Sequence, residues 1–192
     1  MTSPDSSSIE NSTTAHDGSP MASTFPHMLR GLRTGIGTDV HAFADSNDPR
    51  PMWIGCLEWP GENGLVGHSD ADVVAHSCAD AMFSAAAIGD LGTHFGTSEP
   101  RWAGASGEAI LKETRRLVEE SGCVILSVSV QLIGPRPRIG SRRHEVERQL
   151  SSIIGCPVAF SATTTDGLGF PGHHEGLAAI ASALVWKDPH RQ

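Results

Sequence analysis

Asp39 and His41 stand two apart early in the chain, and Asp72, His76 and Asp80 recur four apart in a later run that opens Gly67-His68-Ser69-Asp70-Ala71. Carboxylates and imidazoles in this mixture are the oxygen and nitrogen donors of a divalent metal. Three protein ligands with a fourth position left open are the pattern of a catalytic zinc rather than a structural one. The ligand set read from these residues is Asp39, His41 and His76. Ordinary alternatives stand beside it. An Asp-x-His pair also serves as a surface hydrogen-bonded pair, and Asp72, three residues after Ser69, fits a capping box with an acid in the first helical turn. Asp72 thus stays open between ligand, cap and partner behind a ligand.

Two elements must position these groups. Leu32 to Phe43 reads as a strand, in which side chains at i and i+2 leave the same face, so Asp39 and His41 arrive together. Asp70 to about Ile88 reads as a helix, and at about 100° per residue Asp72, His76 and Asp80 fall within about 80° of one another. Val74, Cys78, Ala81, Ala85 and Ile88 gather on the opposite side. One face is expected to pack while the other presents the carboxylates and the imidazole.

The chain has 192 residues, 39% of them hydrophobic, enough for one core, and a formal charge of -8. That charge argues against a nucleic-acid-coating protein, which carries a basic footprint. No apolar run approaches the roughly 18 residues that span a bilayer, and no charged-then-apolar signal opens the chain. A soluble, cytoplasmic protein without a membrane or nucleic-acid partner is expected. The four cysteines lie far apart with no C-x-x-C and read as buried thiols rather than a disulfide framework. Residues 1–29 are rich in Ser, Thr, Asp and Pro and show no apolar period, so they read as a disordered tail, with Met21 or Met28 as alternative starts.

Residues 30–192 read as one domain in which strands and helices alternate. After the first strand come a short strand near Trp53 to Glu58, the helix from Asp70, and a helix over about 107–120 capped by Ser106 and closed by Gly122. The alternation of Val124, Leu126, Val128, Val130 and Leu132 marks a strand. Ser141 is expected to cap a helix to about Ile154 with Val146, Leu150 and Ile153 inward, and Pro157 to start a strand ending at Ala162. Gly176 to Trp186 is ambiguous, because its alanines favour helix while it lacks a polar stripe. The mixture predicts an α/β or α+β sandwich with helices on one face of a sheet.

Gly167 to Gly172 matches G-x-G-x-x-G, yet the 20 residues that follow give no room for the helix, strand and ribose-binding acid of a dinucleotide fold. Walker A and G-x-S-x-G motifs are absent. The run Thr163-Thr164-Thr165-Asp166 offers hydroxyls and amides for phosphate oxygens and a carboxylate for Mg²⁺, or else is a polar turn. His68-Ser69 precedes a helix N-terminus, where free amides attract anions. Asp90-Leu91-Gly92 offers a carboxylate and a close-approach glycine for a sugar diol, though it also reads as a helix stop. Arg136, Arg138, Arg142 and Arg143 form a basic cluster, at least two of which read as solvated.

Taken together, Gly37-Thr38-Asp39-Val40-His41-Ala42-Phe43, Gly67 to Asp72 with His76 and Asp80, Gly89-Asp90-Leu91-Gly92, and Ala162 to Phe170 with Glu175-Gly176 resemble the 2-C-methyl-D-erythritol 2,4-cyclodiphosphate synthase family in motif and order, from about Arg33 to Trp186. The resemblance implies a mixed α/β layer with a strand at Gly176 to Trp186, and a homotrimer with active sites at subunit interfaces. It implies that the 2-phosphate of 4-diphosphocytidyl-2-C-methyl-D-erythritol 2-phosphate attacks the β-phosphorus and releases CMP. By the same resemblance Zn²⁺ sits on Asp39, His41 and His76, and Mg²⁺ or Mn²⁺ near Asp166. His68 and Thr164 stabilise the transition state with help from Ser69. Asp90 and Gly92 hold methylerythritol or ribose, and Gly134 to Gly140, with Pro137 and Arg138, form a cytidine loop. Val40, Leu91, Phe95, Thr163, Thr165, Phe170 and His173 complete the implied substrate contacts.

Three positions depart from the family pattern. Asp166 stands where the family has Glu, which shortens the reach to a metal by one methylene. His173 replaces an arginine that contacts phosphate, and an imidazole with a reference pKa of about 6.5 is a weaker, pH-dependent anion partner. The Phe-Pro-Asp-x-Asp loop is here Phe95-Gly96-Thr97-Ser98-Glu99, one acid fewer. Activity is expected to persist with altered substrate affinity. Two rival readings use the same residues: a zinc-dependent hydrolase of nucleotide diphosphates, and a non-catalytic trimer that binds nucleotide or prenyl phosphate.

Overall fold

The computed structural model describes residues 29–96 and 100–189, so residues 1–28 of the expected tail, both alternative starts, and Thr97, Ser98 and Glu99 lie outside the described residues. From Gly31 onward the described residues form one compact unit. Its strands are β1 (Leu32–Ala42), β2 (Pro51–Ile54), β3 (Leu57–Asn63), β4 (Cys123–Ile133), β5 (Val158–Thr163) and β6 (Gly176–Lys187). Its helices are α1 (Val73–Ala86), α2 (Leu91–Phe95), α3 (Gly107–Glu120), α4 (Arg143–Ile154) and the single turn α5 (Gly169–Gly172). Four strands make a mixed sheet in the order β1-β6-β4-β5, in which β6 is antiparallel to both neighbours and β4 and β5 are parallel. The ambiguous segment from Gly176 is therefore a central strand. Its alanines are small enough to lie under α1: Ala179, Ala181 and Ala183 are buried.

One face of this sheet carries the helices. Gly37, Ala181, Val130 and Phe160 stand side by side in the ladder and are all buried, whereas Ile36, Ser182, Ser129 and Ala159 form the adjacent row and face outward. The closest helix contact is at β1. A Cβ added to Gly37 would lie 2.1 Å from the Ser77 carbonyl oxygen and 2.4 Å from the Ala81 nitrogen, and one on Gly35 would lie 2.3 Å from both Ala81 O and Ala85 N. The helix thus rests directly on strand backbone, which fixes its height above Asp39 and His41.

Four expectations need correction. The hydrophobic and polar faces expected of α1 do not exist as such, because twelve of its fourteen residues are buried on all sides. The expected strand near Trp53 is a hairpin of two strands forming a second small sheet, turned by Gly55 and Cys56 at φ 65° and 60°. In β4 the alternation changes sides: Val124 and Leu126 are exposed, while Val128, Val130 and Leu132 are 2–3% exposed. A register irregularity between Ile125 and Ser127 adds one residue, which flips every later side chain to the other face. Ser141 does not cap α4 but ends a 3₁₀ turn, Ile139–Ser141, and α4 begins after Arg142 without a side-chain cap. Helix α3, with Ser106 accepting from the Ala109 amide, matches its expected span. All four cysteines are free and buried.

Candidate metal centre and phosphate pocket

Asp39 and His41 project from β1 toward α1, and His76 meets them from one turn inside that helix. Asp39 Oδ2 lies 3.2 Å from His41 Nε2 and 2.9 Å from His76 Nδ1. The three donor atoms lie within 4.8 Å of one another, and among the described residues this is the one such group of three. Each imidazole is oriented from behind. His41 Nδ1 lies 2.6 Å from the Val66 carbonyl, which can only accept, so Nδ1 carries the proton and Nε2 faces Asp39. In a neutral His41 that places a lone pair against a carboxylate oxygen. Either a proton or a cation must stand between them.

The electrostatics agree with a cation-seeking site. The Asp39 hydrogen bond raises the His41 pKa above its ordinary value against the effect of burial. Burial pushes the Asp39 carboxyl up, but hydrogen bonds from His41 and His76 and their charges outweigh it and hold it well below the usual carboxylate range. An oxygen and two nitrogens with a free side toward a cavity suit a divalent ion of the zinc type.

Asp72 is the helix cap and not a ligand. Its wholly buried carboxylate accepts from Val74 and Ala75 at the start of α1, and from Gly55 and Cys56 in the hairpin turn, the last at 2.6 Å. Asp70 acts similarly on α3, accepting from the Gly107 amide at 2.6 Å. The two acids of the Gly67 to Asp72 run therefore hold the frame around His68 and Ser69. Ser69 Oγ accepts from the Ala71 amide at 3.1 Å and lies 3.0 Å from His76 Nε2.

Asp39, His41, His76, His68 and Ser69 line a cavity of about 240 Å³ together with Leu91, Phe95, Gly96, Trp102 and Ile110. Trp102 and Ile110 were not anticipated, because an apolar wall residue carries no chemical signature in sequence. Asp80 was seen only as a member of the Asp72-His76-Asp80 stripe. Its carboxylate accepts from the Leu91 amide at 2.6 Å and so ties α2 to α1. Asp90 caps α2 through the Thr93 hydroxyl and amide, both at 2.7 Å, which hold its pKa below the ordinary value. Gly92 is exposed nearby, and Val40 projects from the opposite face of β1.

The other expected substrate contacts lie elsewhere. Gly134, Pro137, Arg138, Thr163 and Thr164 line a separate cavity of about 380 Å³ with Pro135, Ile139 and Ala162, and share no residue with the first. Thr164 Oγ1 donates to Asp166 Oδ1 at 3.1 Å, and Thr165 Oγ1 to the Leu168 carbonyl at 2.6 Å. Asp166, Phe170, His173 and Gly140 are exposed and line neither cavity. Two arginines of the basic cluster are used structurally: Arg136 pairs with Glu62 over the Phe43 ring, and Arg142 with Glu145 over Trp59. No helix among the described residues is long and apolar enough to cross a membrane.

The family model that matches residues 32–186 is that of the YgbB family. The chain is similar to 2-C-methyl-D-erythritol 2,4-cyclodiphosphate synthase of Acidothermus cellulolyticus, 54% identical over 80% of this chain and 94% of the relative. It is 52% identical to the enzyme of the same name from Cutibacterium acnes over 80% and 90% of the two chains. Among solved structures it resembles a 2C-methyl-D-erythritol-2,4-cyclodiphosphate synthase in a CDP-bound form, with a TM-score of 0.72, 33% identity, and coverage of 80% of this chain and 99% of that one.

Proposed function

Because this chain belongs to the YgbB family across residues 32–186, we infer that it is an enzyme of isoprenoid precursor biosynthesis, a 2-C-methyl-D-erythritol 2,4-cyclodiphosphate synthase. The substrate is 4-diphosphocytidyl-2-C-methyl-D-erythritol 2-phosphate. An oxygen of its 2-phosphate attacks the β-phosphorus, the bond from that phosphorus to the α-phosphate oxygen breaks, and CMP departs with the bridging oxygen. The nucleophile belongs to the substrate. The observation that carries this reading is the oriented triad Asp39, His41 and His76 beside His68 and Ser69, in a cavity lined by no cysteine or lysine.

What remains for the protein is positioning and charge neutralisation. Asp39, His41 and His76 would hold a zinc-type ion, which would supply Lewis acidity toward a phosphate oxygen. His68 and Ser69 hold the phosphate in the same cavity, while Leu91, Phe95, Trp102 and Ile110 exclude water from it. Asp90 keeps one carboxylate oxygen outside its cap bonds for a sugar hydroxyl. Asp166 likewise keeps Oδ2 outside its bond with Thr164, and that oxygen would hold Mg²⁺ or Mn²⁺ beside the substrate's phosphates. The cavity at Gly134, Pro137, Arg138, Thr163 and Thr164 takes the cytidine end. In a homotrimer the cytidine cavity of one copy adjoins the metal cavity of the next, so the enzyme acts as a ring of three. We place it in the cytoplasm, with residues 1–29 as a separate tail.

Phosphorus NMR tests the function. Incubation with the substrate and Mg²⁺ should yield the cyclic diphosphate and CMP, and His76→Ala should slow this by at least about a hundredfold. A linear product would replace the synthase by a hydrolase, and unchanged substrate by a binding protein.

A further inference from the structure

We infer that Ser69 couples the metal centre to anion binding: ligation of His76 turns the Ser69 hydroxyl outward as a donor to a phosphate or diphosphate oxygen. This rests on the reading that Asp39, His41 and His76 hold a divalent metal. The Asp39 carboxylate only accepts, so a neutral His76 carries its proton on Nδ1, 2.9 Å from Asp39 Oδ2. Its Nε2 then presents a lone pair to Ser69 Oγ at 3.0 Å. That contact is a hydrogen bond only if the hydroxyl donates its proton inward. With the Ala71 amide also donating to Oγ at 3.1 Å, the Ser69 proton is committed to the protein.

Ligation reverses the bond. Nδ1 faces Asp39 and Nε2 faces Ser69, so Nδ1 is the atom that must offer its lone pair to a metal. The ring proton then leaves Nδ1 and an equivalent proton is carried on Nε2, exchanged through solvent, so the imidazole holds one proton before and after. Nε2–H now donates and Oγ accepts. Both acceptor positions of Oγ are then filled, by His76 and Ala71, and the O–H is left to donate elsewhere. Ser69 lines the cavity beside His68, where the substrate's phosphates are proposed to sit. Metal occupancy thereby sets the polarity of the phosphate site, in addition to any direct attraction between metal and anion.

CDP is a suitable probe, titrated calorimetrically at pH 8, where an ordinary imidazole is neutral. Wild type, Ser69→Ala and Ser69→Thr would each be measured with EDTA and as the protein carrying one bound zinc after removal of excess. With zinc, Ser69→Ala should bind CDP about tenfold more weakly, and Ser69→Thr should stay close to wild type. Without zinc, Ser69→Ala should change affinity by less than about twofold. Nitrogen NMR of the histidine rings should show the His76 proton on Nδ1 in EDTA and on Nε2 with zinc, and it decides the question alone if zinc-free affinity falls below measurement. Equal losses in both states, or the same tautomer with zinc bound, would overturn the coupling. Failure of the protein to take up zinc would instead remove the metal reading beneath it.

Discussion

His41 and Asp39 face each other through atoms that neither can turn away, since the Val66 carbonyl fixes the ring of His41. In metal-free protein a proton fills the gap, which raises the His41 pKa. The raised value means this pair stabilises the fold fully below about pH 6.5 and ceases to as pH rises through the folded pKa, while the lowered Asp39 value fails only as pH falls below about 4. A metal competes with the same proton, so its stabilisation runs the other way and grows with pH. Melting curves in EDTA and in zinc should therefore separate more at pH 8.5 than at pH 5.5; an equal gap at both would mean that His41 Nε2 is not a ligand. The triad was legible in sequence because ligand chemistry needs particular residue types at a strand spacing. The role of Asp72 was not, because a carboxylate looks the same whether it binds a metal or four backbone amides.

Strand β1 and helix α1 bring the ligands together only because glycine lies between them. With Gly37 against the Ser77 carbonyl at a distance no Cβ can occupy, Gly37→Ala must lift the helix or bend the strand. Overpacking of this kind costs about 1–3 kcal/mol. The expected outcome is a lower denaturation midpoint together with weaker zinc binding, because His76 rides on the displaced helix. Loss of stability with unchanged zinc affinity would show that the site tolerates movement of α1. Periodicity revealed that a strand and a helix exist here, but not that the helix is enclosed on every side. Enclosure depends on α3 and the hairpin, which arrive from distant parts of the chain. The face change in β4 was hidden for a related reason: one extra residue at Ile125–Ser127 is invisible to a pattern of alternating apolar residues.

Within one copy the cavity at Asp39, His41 and His76 and the cavity at Gly134 and Thr164 share no residue, yet the substrate of the proposed reaction would have to reach both. Motif order announced both sets of residues and gave no distance between them, so this separation became visible only in the folded chain. The outer face of the sheet adds a second observation. Ile36 is 68% exposed and Ile180 46%, on the face that carries no helix. A ring of copies joined head to tail meets both conditions, because each contact then pairs two different patches. It also makes a test that a self-contained site cannot pass. His76→Ala removes a metal ligand and Thr164→Ala removes a group of the other cavity, so each variant alone should be inactive. Coexpressed in equal amounts, they should form mixed rings in which about a quarter of the interfaces combine an intact metal half with an intact cytidine half. Activity should return to about that fraction of wild type. If the mixture stays as inactive as its parents while sedimentation shows mixed trimers, both halves of the site belong to the same copy, and the substrate must bridge them without a neighbour.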